Sequence, residues 1–253
     1  MNILEKFSLN GKKALVTGAG RGLGRGFAKA LAEAGADVAV VDVIAENAVL
    51  TAEEIAKATG RKTSAVTADS TKTADVCNMV DTVVREFGRL DIAVNNAGIS
   101  IPIKRALDIS EDEWRKQMDV NLNGTWMCLR EEARVMKNNH YGKIINIGSI
   151  CGHIVWSDPQ LAYSVSKAAV IHMTRAAAAE FIKYGIRVNC ISPGVTKVAD
   201  LFPEVIDVFF KTAPIDRLGF PEDHQGALIF LASQLSDFVV GQEIIIDGGY
   251  TVM

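Results

Sequence analysis

No Cys-x-x-Cys pair, no His-x-x-x-His pair and no surplus of positive charge occurs in this chain, and each absence removes a class of function. Cys77, Cys128, Cys151 and Cys190 lie far apart, which predicts reduced, mostly buried thiols and no disulfide frame. The four histidines are equally scattered, so no metal is expected. A formal charge of −3 leaves no basic footprint for nucleic acid or an anionic membrane surface. No apolar run approaches the ~20 residues needed to span a bilayer. The opening stretch Met1-Asn-Ile-Leu-Glu-Lys6 is too short in apolar residues for a secretory signal, and a soluble, cytoplasmic protein is expected. Aromatic residues make up only 7% of the chain against 49% apolar overall, which suits a Val-, Ile- and Ala-rich parallel sheet better than an aromatic binding surface.

What is present is an alternation. Strand-length apolar runs span Lys13 to Val16, Asp37 to Val41, Ser64 to Thr67, Asp91 to Asn95, Lys143 to Ile147, Arg187 to Ile191 and Glu243 to Ile246. Between them lie longer stretches of helical period, such as Leu23, Phe27, Ala30, Leu31 and Ala34, which mark one buried face. Gly35, Gly60, Gly88 and Gly185 each follow such a stretch, as helix stops. Continuously apolar strands separated by helices predict an α/β fold, doubly wound, with a parallel sheet covered on both faces. No linker, repeat or low-complexity stretch interrupts the pattern, so residues 1–253 are expected to form a single domain. Residues 195–213 carry Leu201, Phe202, Val205, Ile206, Val208, Phe209 and Phe210 in helical rhythm. That segment is too apolar to stand in water alone; it folds over the site as a lid or packs permanently on the body.

Ligands of such sheets bind beyond the carboxyl ends of the strands. Gly18, Asp42, Asp69, Asn95, Ser149 and Pro193 all stand at or just past a predicted strand end. The turn Gly18-Ala-Gly-Arg21-Gly22-Leu23-Gly24 joins the first strand to the first helix, where glycines let backbone approach a pyrophosphate and a helix N-terminus offers free N–H groups. Asp42 closes the second strand about 20 residues on, placed to accept both ribose hydroxyls of an adenosine and to repel a 2′-phosphate. Arg21 cuts the other way, because a guanidinium there could hold that phosphate. Asp42 weighs more, so the expected cofactor is NAD, with NADP less favoured. Asp69 either accepts an adenine amino proton or caps the following helix. Val43 and Ser70, next to these two acids, complete the expected adenosine side.

Tyr163 and Lys167 are four apart and leave one face of a helix together. A phenol of pKa ~10 is a poor base near neutrality. An ammonium ~4–5 Å away, at an effective dielectric of ~20, contributes roughly 3–4 kcal/mol, enough to depress the phenol by about 2–3 pK units. Tyr163 then becomes a candidate acid/base for a hydride transfer.

These residues resemble the short-chain dehydrogenase/reductase family over nearly the whole chain. The likeness rests on Thr17-Gly-x-x-x-Gly-x-Gly24, Asp69, Asn95-Asn-Ala97-Gly98, Asn121, Ser149, Tyr163-x-x-x-Lys167, Pro193-Gly194 and the terminal Ile246-Asp-Gly-Gly249. It implies a Rossmann sheet of seven parallel strands, with Asn121, Ser149, Tyr163 and Lys167 as the catalytic set. It further implies that Asn95-Asn96-Ala97-Gly98 lines the adenosine side and braces the fourth strand. Relatives commonly place a carboxamide-binding threonine five residues past the proline, where this chain has Val198. Either Thr196 substitutes, through a shifted loop, or backbone groups do.

Gly152-His-Ile-Val155 and Ser166-Lys-Ala-Ala-Val-Ile-His172 look most like the sugar and polyol oxidoreductases of that family, including gluconate, sorbose and mannitol types. Cys151 and His153, after the serine, are expected on the substrate side, on a loop that also carries Trp156. A 3-oxoacyl thioester reductase is the alternative enzyme, and a dinucleotide-binding sensor without turnover the remoter one. The stretch from Gln160 to Tyr184 reads as one long helix with small residues at Ala176 to Ala179, and Asn123 to Met136 as another. By the likeness these helices pair across a two-fold axis, implying a homotetramer, or else a dimer.

Overall fold

The computed structural model describes residues 2–156, 160–198 and 203–253. Seven strands form one sheet: β1 (Lys13–Thr17), β2 (Asp37–Asp42), β3 (Thr63–Thr67), β4 (Ile92–Asn95), β5 (Gly142–Ile147), β6 (Ile186–Pro193) and β7 (Glu243–Ile246). All pairings are parallel, in the order β3-β2-β1-β4-β5-β6-β7. The order reverses direction between β1 and β4, which opens a crevice at their carboxyl ends.

Alternation along each strand builds two cores. Ala14 and Val16 of β1, with Val38 and Val40 of β2, face α1 (Gly22–Glu33), α2 (Ala45–Thr59) and a helix of residues Pro221–Ala232. Leu15, Ala39 and Val41 face α3 (Thr73–Phe87), α5 (Thr125–Asn138) and α6 (Leu161–Phe181). Helix α4 (Glu111–Met118) begins with a capping box in which Ser110 and Glu113 exchange hydrogen bonds. It runs into α5 through a π-turn, Asp119–Gly124, that carries Asn121. Past β6, α7 (Pro203–Thr212) precedes α8 (Pro221–Ala232).

The expected long helix is α6, which tightens into a 3-10 turn at Ile182–Tyr184 before Gly185 stops it in the left-handed region at φ 75°. Leu201 and Phe202 of the expected lid lie outside the described residues. Within it, Phe209 is buried and stacks on Tyr250 with centroids 5.5 Å apart; Tyr250 stacks in turn on Trp156 at 4.9 Å. Among the described residues no helix is long and apolar enough to cross a membrane.

Candidate active site

The glycine-rich turn is shaped by contacts that no side chain tolerates. Gly18 and Gly22 hold φ +60° and +56°, the left-handed region. A Cβ on Gly24 would stand 2.1 Å from the Gly18 carbonyl oxygen, and one on Gly20 2.7 Å from Asp42 Oδ2. Helix α1 starts at Gly22, and its N-cap, Arg21, lends no side-chain cap. Its first-turn N–H groups therefore suit an anionic ligand, and these residues fit the diphosphate of a dinucleotide. Leu23 turns inward, against the core of that face.

Asp42 stands buried at the end of β2, its Oδ2 accepting from Gly20 N and its Oδ1 from Ile44 N, both at 2.9 Å. Val43, the next residue, is exposed. Thr17 ends β1 and accepts N–H bonds from Asn96 and Ala97, both at 3.1 Å, while Asn96 Nδ2 donates to the carbonyls of Thr17 and Gly18 at 3.0 and 3.1 Å. The ends of β1 and β4 are thus stitched together directly under the crevice.

On the other side of the crevice, Ser149 follows β5, and its Oγ caps the short turn Ile150–Gly152 by accepting from Cys151 N at 3.2 Å. Tyr163 and Lys167 lie one turn apart on α6, with Lys167 Nζ 5.7 Å from the Tyr163 ring centroid. Lys167 is buried and donates to the Ile147 carbonyl at 2.9 Å; burial pushes its pKa down to about 8. Asn121 is buried in the π-turn, where its Oδ1 accepts from Ile99 N at 2.8 Å and its Nδ2 donates to Ile99 O at 2.9 Å and Ser166 Oγ at 3.2 Å. Gly98 completes the wall: a Cβ there would meet Asn121 Oδ1 at 3.4 Å and Lys167 Nζ at 3.6 Å. The four expected catalytic residues therefore gather around the ends of β4 and β5.

A family model described as enoyl-(acyl carrier protein) reductase matches residues 18–251. The sequence is 37% identical to a sorbose reductase of Candida albicans, over 99% of this chain and 90% of that one. It is also 37% identical to a galactitol 2-dehydrogenase of Rhizobium johnstonii, over 99% of each. A short-chain type dehydrogenase/reductase of Mycobacterium marinum superposes with a TM-score of 0.95 at 38% identity, covering the whole of both chains. An NADPH-dependent 3-quinuclidinone reductase of Rhodotorula rubra also superposes at 0.95, with 35% identity over 100% of this chain and 96% of that one. The chain belongs to the short-chain dehydrogenase/reductase family. It is an oxidoreductase of alcohol and ketone groups, in a family that uses nicotinamide dinucleotides.

Several expected residues of this oxidoreductase make contacts other than those anticipated. Asn95 does not face the crevice: its Nδ2 donates to Glu132 and Asn146, both at 3.0 Å, in a buried network that continues from Asn146 to Thr174. It braces β4 against α5 and β5, as the resemblance implied, through a buried network and not through the crevice. His153 turns to Glu243 at the start of β7, with Nε2 2.7 Å from Oε1, because the carboxyl group there offers it a hydrogen-bond partner that an open loop position does not. Asp69 accepts from Thr71 N and Oγ1 in a turn before α3 and pairs with Lys72 at 3.5 Å, contacts that keep its carboxyl below the usual range; the N-cap of α3 is Lys72, without a side-chain cap, so Asp69 does not cap that helix. Ser70 sits beside Gly124, where a Cβ would come within 2.8 Å of its Oγ.

Thr196 does not offer its hydroxyl to the crevice. Its Oγ1 donates to Gly194 O at 3.0 Å and lies 2.9 Å from His224 Nε2. Pro193 ends β6, and Gly194 packs so close to Asp247 that a Cβ would reach its Cα at 2.6 Å. Cys151 is partly buried and accepts from Trp156 Nε1 at 3.1 Å, and burial pushes its thiol up. The largest correction concerns Tyr163. Burial raises its phenol above the ordinary value, Cys151 adds to the rise, and only the Ser149 hydroxyl opposes it. Lys167 is itself depressed by the same burial, so the expected fall of the phenol is not a property of the protein alone.

Gln117, not anticipated from the sequence, is fully buried one turn before Asn121. It donates to Ile99 O at 2.5 Å and accepts from Ile101 N at 2.9 Å, so two amides four apart clamp one loop. The four-residue spacing was the available signal.

Proposed function

We propose that this dehydrogenase moves a hydride between NAD(H) and a secondary alcohol or ketone of the sugar, polyol or sugar-acid class, with Tyr163 as the acid/base. The observation that carries this is the placement of Tyr163, Lys167 and Ser149 around one point at the ends of β4 and β5, across from the glycine-rich turn. When bound, the nicotinamide ring supplies the site of hydride gain or loss. Tyr163, protonated in the free protein, donates to the carbonyl oxygen during reduction and takes the hydroxyl proton back during oxidation. Ser149 Oγ holds that oxygen in line. Lys167, anchored on Ile147 O, favours the phenolate through its charge and donates to ribose hydroxyls. Asn121 fixes the Ile99 backbone beside Lys167 and leads the proton outward.

Gly18, Gly22 and Gly24 would hold the diphosphate, with Arg21 at its edge and Pro193 and Gly194 below the nicotinamide. Asp42 supports NAD over NADP, since a second anion beside a buried carboxylate meets repulsion in a poor dielectric. The R. rubra reductase is NADPH-dependent in a fold this similar, so the preference here rests on Asp42 alone. The sugar class rests on the sorbose and galactitol relatives. We further read residues 1–253 as one domain of a cytoplasmic homotetramer, or a dimer, and α7 as a lid held by the Phe209–Tyr250–Trp156 stack. The test is to supply NAD⁺ and NADP⁺ separately with polyols, sugar acids and 3-hydroxyacyl thioesters; turnover confined to thioesters would favour the acyl-reductase reading instead.

A further inference from the structure

We propose that His224 is a positioning residue for cofactor binding: through Thr196 it pins residues 195–198, the segment that leaves β6, over the glycine-rich turn. This rests on the cofactor site proposed above. His224 sits in the first turns of α8 and is buried. Its Nε2 lies 2.9 Å from Thr196 Oγ1, which also reaches the Gly194 carbonyl at 3.0 Å. In either tautomer Nε2 is bonded to Thr196, and Nδ1 is the remaining polar atom of the ring. Nδ1 is buried without a hydrogen-bond partner. A buried polar atom left unsatisfied is costly, so a contact made at that expense calls for a compensating role.

Three neighbouring contacts say what is pinned. Gly219 N donates to Val195 O at 2.9 Å and Lys197 N to Gly219 O at 2.8 Å, making Thr196 and Gly219 an isolated bridge. That bridge ties the start of the segment to the residues that lead into α8. Val198 then reaches the glycine-rich turn, 3.5 Å from where a Cβ of Gly22 would stand. Helix α8 is itself seated on α1: Gln225 Nε2 donates to Gly26 O at 3.2 Å, and Pro221 leaves no room for a Cβ on Gly26. His224 thus joins the helix behind the diphosphate site to the strand end below the nicotinamide. Losing its hydrogen bond frees the segment to sample other arrangements, and apparent affinity falls by the fraction that remains competent.

The experiment measures dissociation constants for NADH and NADPH by ligand fluorescence without substrate, beside thermal melts without cofactor. His224→Leu and Thr196→Val should each weaken the better-bound cofactor by roughly five-fold, as one neutral hydrogen bond allows. The double variant should be no weaker than the weaker single variant, because both remove the same bond. His224→Gln, which keeps a donor, should return to within about two-fold of the parent. If His224→Leu does not fold, Thr196→Val and His224→Gln carry the test. Unchanged affinity in Thr196→Val, or additive losses in the double variant, overturns the role of His224. Failure of the parent protein to bind either cofactor overturns the cofactor site and this role with it.

Discussion

Lys167 Nζ donates at 2.9 Å to the Ile147 carbonyl and lies 5.7 Å from the centroid of the Tyr163 ring. The ammonium is held in place by the end of β5. That arrangement lets one lysine fix its own position without consuming the phenolic proton. Tyr163→Phe should therefore cut turnover by ~10²–10⁴-fold, the usual contribution of general acid/base catalysis, while cofactor affinity stays within a factor of a few. Steady-state rates and a cofactor titration on the same preparation check it; near-parental turnover would remove Tyr163 from the mechanism.

Burial sets Lys167 to about 8, so its charge is present below that pH and lost above it. If that charge serves the cofactor, kcat/KM for the cofactor should fall as pH rises through about 8. Lys167→Arg should displace the fall to much higher pH if it binds cofactor at all, since guanidinium does not titrate there. A flat profile in the parent protein to well beyond pH ~9 would contradict the assignment.

Asp42, the proposed recognition group, is also a strut, since Gly20 N and Ile44 N donate to its two oxygens. Asp42→Asn keeps one acceptor and removes the charge. Its ratio of kcat/KM for NAD to that for NADP should drop by at least about ten-fold, as loss of a single charge repulsion of ~1.4 kcal/mol or more implies. An unchanged ratio would point to Arg21.

Glu132 is fully buried on α5, its Oε1 lacks a partner, and burial pushes its pKa up to about 8 against the Asn95 hydrogen bond. A carboxyl raised above its unfolded value contributes stability that is complete below about pH 4.5 and is lost as pH rises to about 8. Glu132→Gln removes that loss, by at most about 4–5 kcal/mol. Melting temperatures at about pH 5 and about pH 8.5 should then differ more in the parent than in the variant. Equal pH dependence would show that folding does not raise the Glu132 pKa above its unfolded value.

Most of the sheet was legible because its strands are continuously apolar. β7 falls at Glu243–Ile246 as read, and the other strands differ at their ends by one or two residues. Strand ends in turn located Gly18, Asp42, Ser149 and Pro193, since a doubly wound sheet fixes where its crevice opens. Side-chain partners distant in sequence were not legible. His153 finds Glu243 and Thr196 finds His224 only after folding. The pKa of Tyr163 was misread for a related reason: spacing gives the distance to Lys167, but burial, which dominates both groups, appears only in three dimensions.

Trp126, Leu161 and Val165 are exposed on α5 and α6, apolar side chains on the pair of helices expected to meet a second copy. Light scattering at micromolar concentration should give about twice or four times the 27.3 kDa chain mass. A value equal to one chain would exclude the assembly.

The measurement closest to the central claim follows nicotinamide absorbance while NAD⁺ or NADP⁺ is offered with a panel of polyols, sugar acids and 3-hydroxyacyl thioesters, for the parent protein and Tyr163→Phe together. The expected result is reduction of NAD⁺ in preference to NADP⁺ with a polyol or sugar acid, lost in the variant. Turnover that survives in Tyr163→Phe, or that occurs only with thioesters and NADP⁺, would contradict the account.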